Sequence, residues 1–379
     1  MVAGVIVVHA AMTYGLVGNW PYQETVRALP EAVGYVIAFV TMLGMGILFL
    51  IAGLFTPDAI AQKGRWRFLA ERSGRLGIPT VAYLLVIMPA VNFLGRWASG
   101  SSDAAAAGYA LDHLRGFDLG PAWFVLALLL ATTSYGAWQT VSRARTVDVG
   151  GRTLLVLAAL SSGATFVVRI GQPVDDPVPL NVAGWPPDFL LFALGALAGG
   201  GWLTRVPSRT LLHAAALIFG GMVLLVPLAV FPPSSFSSLL GGWHWQAAVV
   251  SVSESLVTIG LVVVIFRLFQ HIGRDPLPRI TRGSFTVYLV QTPVILLLGI
   301  ALRPVALAPE CKAVILGVLG LAACFSLAAA RGGWTQARRL RREEKAKERD
   351  SYLIRREAAG SKRTKNADPP PRAARRGPR

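Results

Sequence analysis

The feature that most limits what this chain can fold into is a succession of ten apolar runs separated by short polar segments. They read as Met1–Val17, Gly34–Thr56, Leu76–Gly95, Pro121–Trp138, Thr153–Ile170, Pro187–Leu203, Leu211–Phe231, Gln246–Phe266, Ser284–Leu302 and Lys312–Ala330. A helix needs about 20 apolar residues to cross the hydrocarbon of a bilayer. Most of the runs are near that length, the first and sixth being short. With 54% of 379 residues hydrophobic, 15% charged and a mean hydropathy of +0.53, a soluble fold could not cover its own apolar surface. The expected fold class is all-α, a polytopic transmembrane helical bundle of about ten spans.

Lysine and arginine sort by side. The loops 57–75, 139–152, 204–210 and 267–283 hold 5, 3, 2 and 4 of them, 14 in all, and the alternate loops hold few. The positive-inside rule then places both termini in the cytoplasm, and Trp20, Trp97, Trp185, Trp243 and Trp245 fall at the outer ends, where amphipathic rings favour the interface. Residues 331–379 are a different polymer, with 17 Lys/Arg against 6 Asp/Glu and a Pro-rich end. Two regions are expected: a transmembrane domain over 1–330 and a basic, partly disordered cytoplasmic tail over 331–379. The tail suits anionic inner-leaflet lipid. No folded reader domain accompanies it, so nucleic acid is not an expected partner. Cys311 and Cys324, on one run, are too far apart to pair and have no metal-site spacing, so no metal is expected.

The polar residues at membrane depth are few. His9 sits inside VIVVHAAMTY, with Thr13 one turn on. Imidazole is costly in hydrocarbon and moves protons near neutral pH, so His9 is either a catalytic group or packing glue between helices. In the eighth run Ser251, Glu254, Ser255 and Thr258 recur at i, i+3, i+4 and i+7, one polar stripe that must face a cavity or another polar surface. Glu254 is functional or structural on the same logic. Arg72 and Arg75, three apart and one turn before Pro79 opens a span, can clamp phosphate on one helix face or simply enforce topology. Arg169, at the outer end of the fifth run, either holds an anionic substrate group or snorkels to the interface. No P-loop, GxSxG elbow, HExxH or glycine fingerprint is present.

Seven segments run in the order of one family: VIVVHAAMTY, RFLAERSGRLGIP, GPAWFVLALL, FVVRIGQPV, PPDFLLFALGALA, ESLVTIG, and FR with SFTVYLVQTPV. The chain so resembles acyltransferase family 3, integral membrane proteins that move acyl groups onto sugars and other hydroxyl acceptors. Its later segments look most like the glucan succinyltransferases of bacterial envelopes. The resemblance implies that His9 is the family's first-span histidine, Arg72 and Arg75 its cytoplasmic arginine pair, Trp123 and Phe124 its fourth-span WF, and Glu254 a recurrent acidic position. In two places the chain departs from the family. An arginine that usually precedes the histidine would lie before Met1, which leaves the first span cut short at its cytoplasmic end; and the common YLxHxP reads Tyr288, Leu289, Gln291, Pro293.

On that resemblance the expected activity is acyl transfer from cytosolic acyl-CoA to a hydroxyl of an envelope glycan or small extracytoplasmic acceptor, in the bacterial inner membrane. Arg72 and Arg75 would hold the donor phosphates, His9 would act as base or covalent relay, and Glu254 would orient His9. Thr13, Trp123, Arg169, Ser251, Ser255, Tyr288 and Gln291 are the candidate pocket residues. The competing reading of a buried His and Glu in a ten-span bundle is a proton-coupled transporter or flippase of an envelope precursor.

Overall fold

The structure, a computed structural model, describes residues 2–15, 20–24, 29, 45–139, 149–171, 182–198, 206–231, 237–272 and 278–331. Among these residues the secondary structure is entirely helical: α1 (Val2–Gly15), α2 (Gly46–Lys63), α3 (Arg65–Ala98), α4 (Asp103–Arg115), α5 (Trp123–Trp138), α6 (Gly151–Gly171), α7 (Trp185–Ala198), α8 (Ser208–Val223), α9 (Trp245–Ile272), α10 (Pro278–Leu302) and α11 (Pro309–Arg331), with short turns between. Eight stretches are long and apolar enough to cross a membrane; α1 and the Val182–Ala198 helix are shorter, as their runs are in the sequence. The chain divides into a unit over Met1–Phe325 and a second from Ser326 to Arg379, and the basic tail beyond Arg331 lies outside the described residues.

Lipid offers no hydrophobic drive between helices, so van der Waals packing through small residues must hold them. The α2–α7 contact is the clearest case. A methyl group on Gly53 would collide with the Phe192 carbonyl, and one on Gly195 with the Leu50 carbonyl, so each helix uses a glycine to approach the other's backbone. Across α8–α9, a methyl on Gly260 would lie 2.5 Å from the Ala214 carbonyl oxygen and one on Gly221 2.9 Å from that of Ser253. Around these contacts Ile47, Leu50, Leu154, Leu191, Leu217 and Ile259 form one core, and Phe49, Phe124, Phe192 and Tyr288 anchor another. Leu155, Leu160, Val167, Leu212 and Phe219 face outward, the apolar coat a bilayer requires.

Pro79 does not open a helix. α3 runs unbroken from Arg65 through Pro79 and Pro89, and it widens to π geometry at Ser73–Gly77 and Tyr83–Ile87, two residues before each proline. A proline cannot donate to the carbonyl four residues back and its ring crowds that turn. Widening the turn relieves the clash without ending the helix. The sequence placed Arg72 and Arg75 at a helix boundary; they flank and occupy a π turn instead.

Candidate active site

His9 lies on the face of α1 that packs against α10 and is 7% exposed. The contact is close because its residues are small: a methyl on Gly299 of α10 would come within 3.3 Å of the Thr13 methyl. Trp20 stacks on the imidazole, ring centroids 4.5 Å apart and planes 22° from parallel. The sequence assigned Trp20 to the outer interface; it is buried against His9 instead. Glu24 N–H donates to the Thr13 carbonyl at 2.8 Å and Leu29 N–H to that of Tyr14 at 2.7 Å, capping the end of α1. A buried ion pair, Lys312 Nζ to Glu24 at 2.8 Å, fastens the loop to α11.

Gln291 lies alongside His9 and is fully buried. Neither His9 Nδ1 nor Gln291 Nε2 or Oε1 makes a hydrogen bond of normal geometry, and Tyr14 and Thr292 nearby in sequence also carry unpaired hydroxyls. The backbone beneath Gln291 is fixed. Pro293 cannot donate to the Leu289 carbonyl, and the Tyr83 hydroxyl of α3 takes that orphan acceptor. One turn earlier the Tyr288 hydroxyl donates to the Pro121 carbonyl, and the Tyr288 ring meets Phe124 edge to face at 5.6 Å. Phe124 in turn adjoins Trp123. Tyr288, Gln291, Trp123 and His9 are thus linked through α10. The Thr13 hydroxyl donates to the His9 carbonyl at 3.2 Å.

Arg72 and Arg75 lie where α3 passes α5 and α10. The Arg72 guanidinium sits 5.4 Å over the Phe68 ring and that of Arg75 5.9 Å over Phe285 of α10. They are close enough to repel one another, and among the described residues no carboxylate pairs with either. Glu71, next to them, is taken by Lys63 and by Arg67 at 3.3 Å.

Glu254 is not joined to His9. It belongs to a polar seam between α6 and α9, where Arg169 Nη2 donates to Glu254 Oε2 at 2.5 Å and Nη1 to Ser251 Oγ at 3.3 Å. Ser161 Oγ donates to Ser255 Oγ at 2.9 Å one turn away. Arg169 is 1% exposed and does not snorkel; its helix presents Ser161, Thr165 and Arg169 at i, i+4 and i+8, the surface the serine–glutamate stripe required. Sequence reasoning missed Asp188, a second buried carboxylate within electrostatic reach of Glu254. Its only signal was one acid in an otherwise apolar PPDFLLF. No hydrogen bond, ion pair or charge interaction links Glu254 to His9, because α9 packs on α6 and α8 while α1 packs on α10.

Eight apolar stretches, two shorter apolar helices, and a buried histidine framed by α1, α10 and a folded-back loop define a multi-pass membrane protein with an interior site. The acyltransferase-domain model of acyltransferase family 3 matches residues 2–329, and the chain belongs to that family: it is a membrane acyltransferase. No curated protein and no solved structure matches the chain.

Proposed function

We propose that this enzyme moves an acyl group, acetyl or succinyl, from acyl-CoA on the cytoplasmic side to a hydroxyl of an envelope glycan or other extracytoplasmic acceptor, in the bacterial inner membrane. The observation that carries the reading is His9: a buried imidazole whose Nδ1 makes no hydrogen bond of normal geometry among the described residues, stacked on Trp20 beside the Gln291 amide. An uncommitted base in a dry site is what general-base activation of an acceptor hydroxyl needs, a contribution of about 10²–10⁴-fold. Arg72 and Arg75 support the donor half. Two mutually repelling guanidinium groups with no carboxylate partner among the described residues offer a charge-assisted clamp for the donor's phosphates. The basic segments 57–75 and 267–283 favour the cytoplasmic face for that clamp, and the basic tail of 331–379 suits anionic lipid there. The subgroup of glucan succinyltransferases gives the first acceptors to test. Mass spectrometry of envelope glycans from cells carrying the native chain or His9→Ala tests the reading. An acyl-sized increment only with the native chain is expected; the same increment with the variant would remove His9 from the chemistry.

A further inference from the structure

Gln291 is the part of the site to which the chemistry above gives no task. It is fully buried beside His9, and among the described residues neither its donor nor its acceptor atom makes a hydrogen bond of normal geometry. An unpaired amide in an apolar interior is among the costlier arrangements a fold can keep. Nor is the side chain loosely placed. Tyr83 and Tyr288 hold the turn of α10 that leads into it, the first through the Leu289 carbonyl and the second through that of Pro121. A fixed donor that makes no well-formed hydrogen bond, beside a buried base, is the geometry of a preorganised oxyanion site.

Building on the acyl-transfer reading, we infer that Gln291 is a further catalytic residue: its Nε2 donates a hydrogen bond to the thioester carbonyl oxygen and stabilises the charge that develops there. The acceptor hydroxyl gives its proton to His9 as its oxygen bonds to the carbonyl carbon, and the carbonyl electron pair moves onto the oxygen facing Gln291. When that intermediate collapses the C–S bond breaks, and the leaving sulfur takes the proton back from His9. No co-reactant is needed. A neutral donor suits the position, since a carboxylate there would repel the oxyanion.

Gln291→Met keeps the length of the side chain and removes the donor. Full-length protein in envelope membranes is supplied with acetyl-CoA or succinyl-CoA, and released thiol and acylated product are followed together, with His9→Ala in parallel. The expected result is a kcat lowered about 10²–10³-fold with KM for the acyl-CoA unchanged. The midpoint of thermal unfolding without substrate should stay level or rise, because an unpaired amide has been replaced by an apolar group. Gln291→Glu, equal in shape, should be no more active than Gln291→Met. Native kcat in Gln291→Met, or a loss fully explained by a lower unfolding midpoint, overturns the inference. If His9→Ala is inactive in that same experiment, the acyl-transfer reading survives; a native rate in His9→Ala, or no acylated product from the native chain, overturns both.

Discussion

The Arg169–Glu254 pair separates a structural role from a catalytic one. Arg169 is 1% and Glu254 4% exposed, and their 2.5 Å contact is the only ion pair of the α6–α9 seam among the described residues. Arg169→Met leaves Glu254 and Asp188 as two neighbouring buried carboxylates with no cation; Glu254→Gln leaves a guanidinium without its anion. Breaking a buried pair from one side costs about 3–5 kcal/mol. At about 2 °C per kcal/mol, the low end of the range for large domains, each single change lowers the unfolding midpoint by roughly 6–10 °C. Replacing both residues by methionine restores apolar packing, and the double variant should recover most of the loss. The assay is thermal unfolding of detergent-purified protein, paired with acyl transfer per folded molecule well below every midpoint. Transfer should persist in the double variant. Glu254→Gln that abolishes transfer without moving the midpoint would refute this and return Glu254 to the chemistry.

Other outcomes follow from the same structure. Arg72→Ala and Arg75→Ala should leave the unfolding midpoint nearly unchanged, since neither side chain has a carboxylate partner, yet raise KM for acyl-CoA about 10- to 100-fold by removing a charge-assisted contact; an unchanged KM would assign the pair to topology alone. Trp20→Ala uncovers His9, so thiol release should outrun acylated product as water replaces the acceptor. An unchanged ratio of thiol to product would show that Trp20 does not exclude water. Truncation after Arg331 should spare transfer in isolated membranes, and its loss there would give the tail an essential part.

The all-helical, multi-span fold class was legible because it rests on composition in long windows. The two short helices and the serine–glutamate stripe follow from local patterns and correspond to elements of the structure, whereas the second run, Gly34–Thr56, lies partly outside the described residues and the expected loop 57–75 is helical. What the sequence hid was pairing between distant segments. Nothing local to Arg169 says that its partner lies 85 residues on, so it was placed at the interface instead of in the seam. Trp20 read as one of five belt tryptophans because a folded-back loop has no periodicity to betray it. Pro79 read as a helix start because prolines prefer first turns, whereas here a π turn absorbs it inside a long helix. His9 stands out as a lone histidine in an apolar run and Tyr288 and Gln291 through the resemblance, but the sequence does not show that the histidine's buried neighbour is Gln291 and not Glu254.

The most direct test of acyl transfer through His9 uses inside-out membrane vesicles, which expose the cytoplasmic face, supplied with acetyl-CoA or succinyl-CoA labelled in the acyl group. Label should appear as an ester on acceptor enclosed in the vesicle when the native chain is present, and not with His9→Ala inserted at equal amount. Enclosed label at the native rate with His9→Ala, or label that never leaves the outer face with the native chain, would contradict the account.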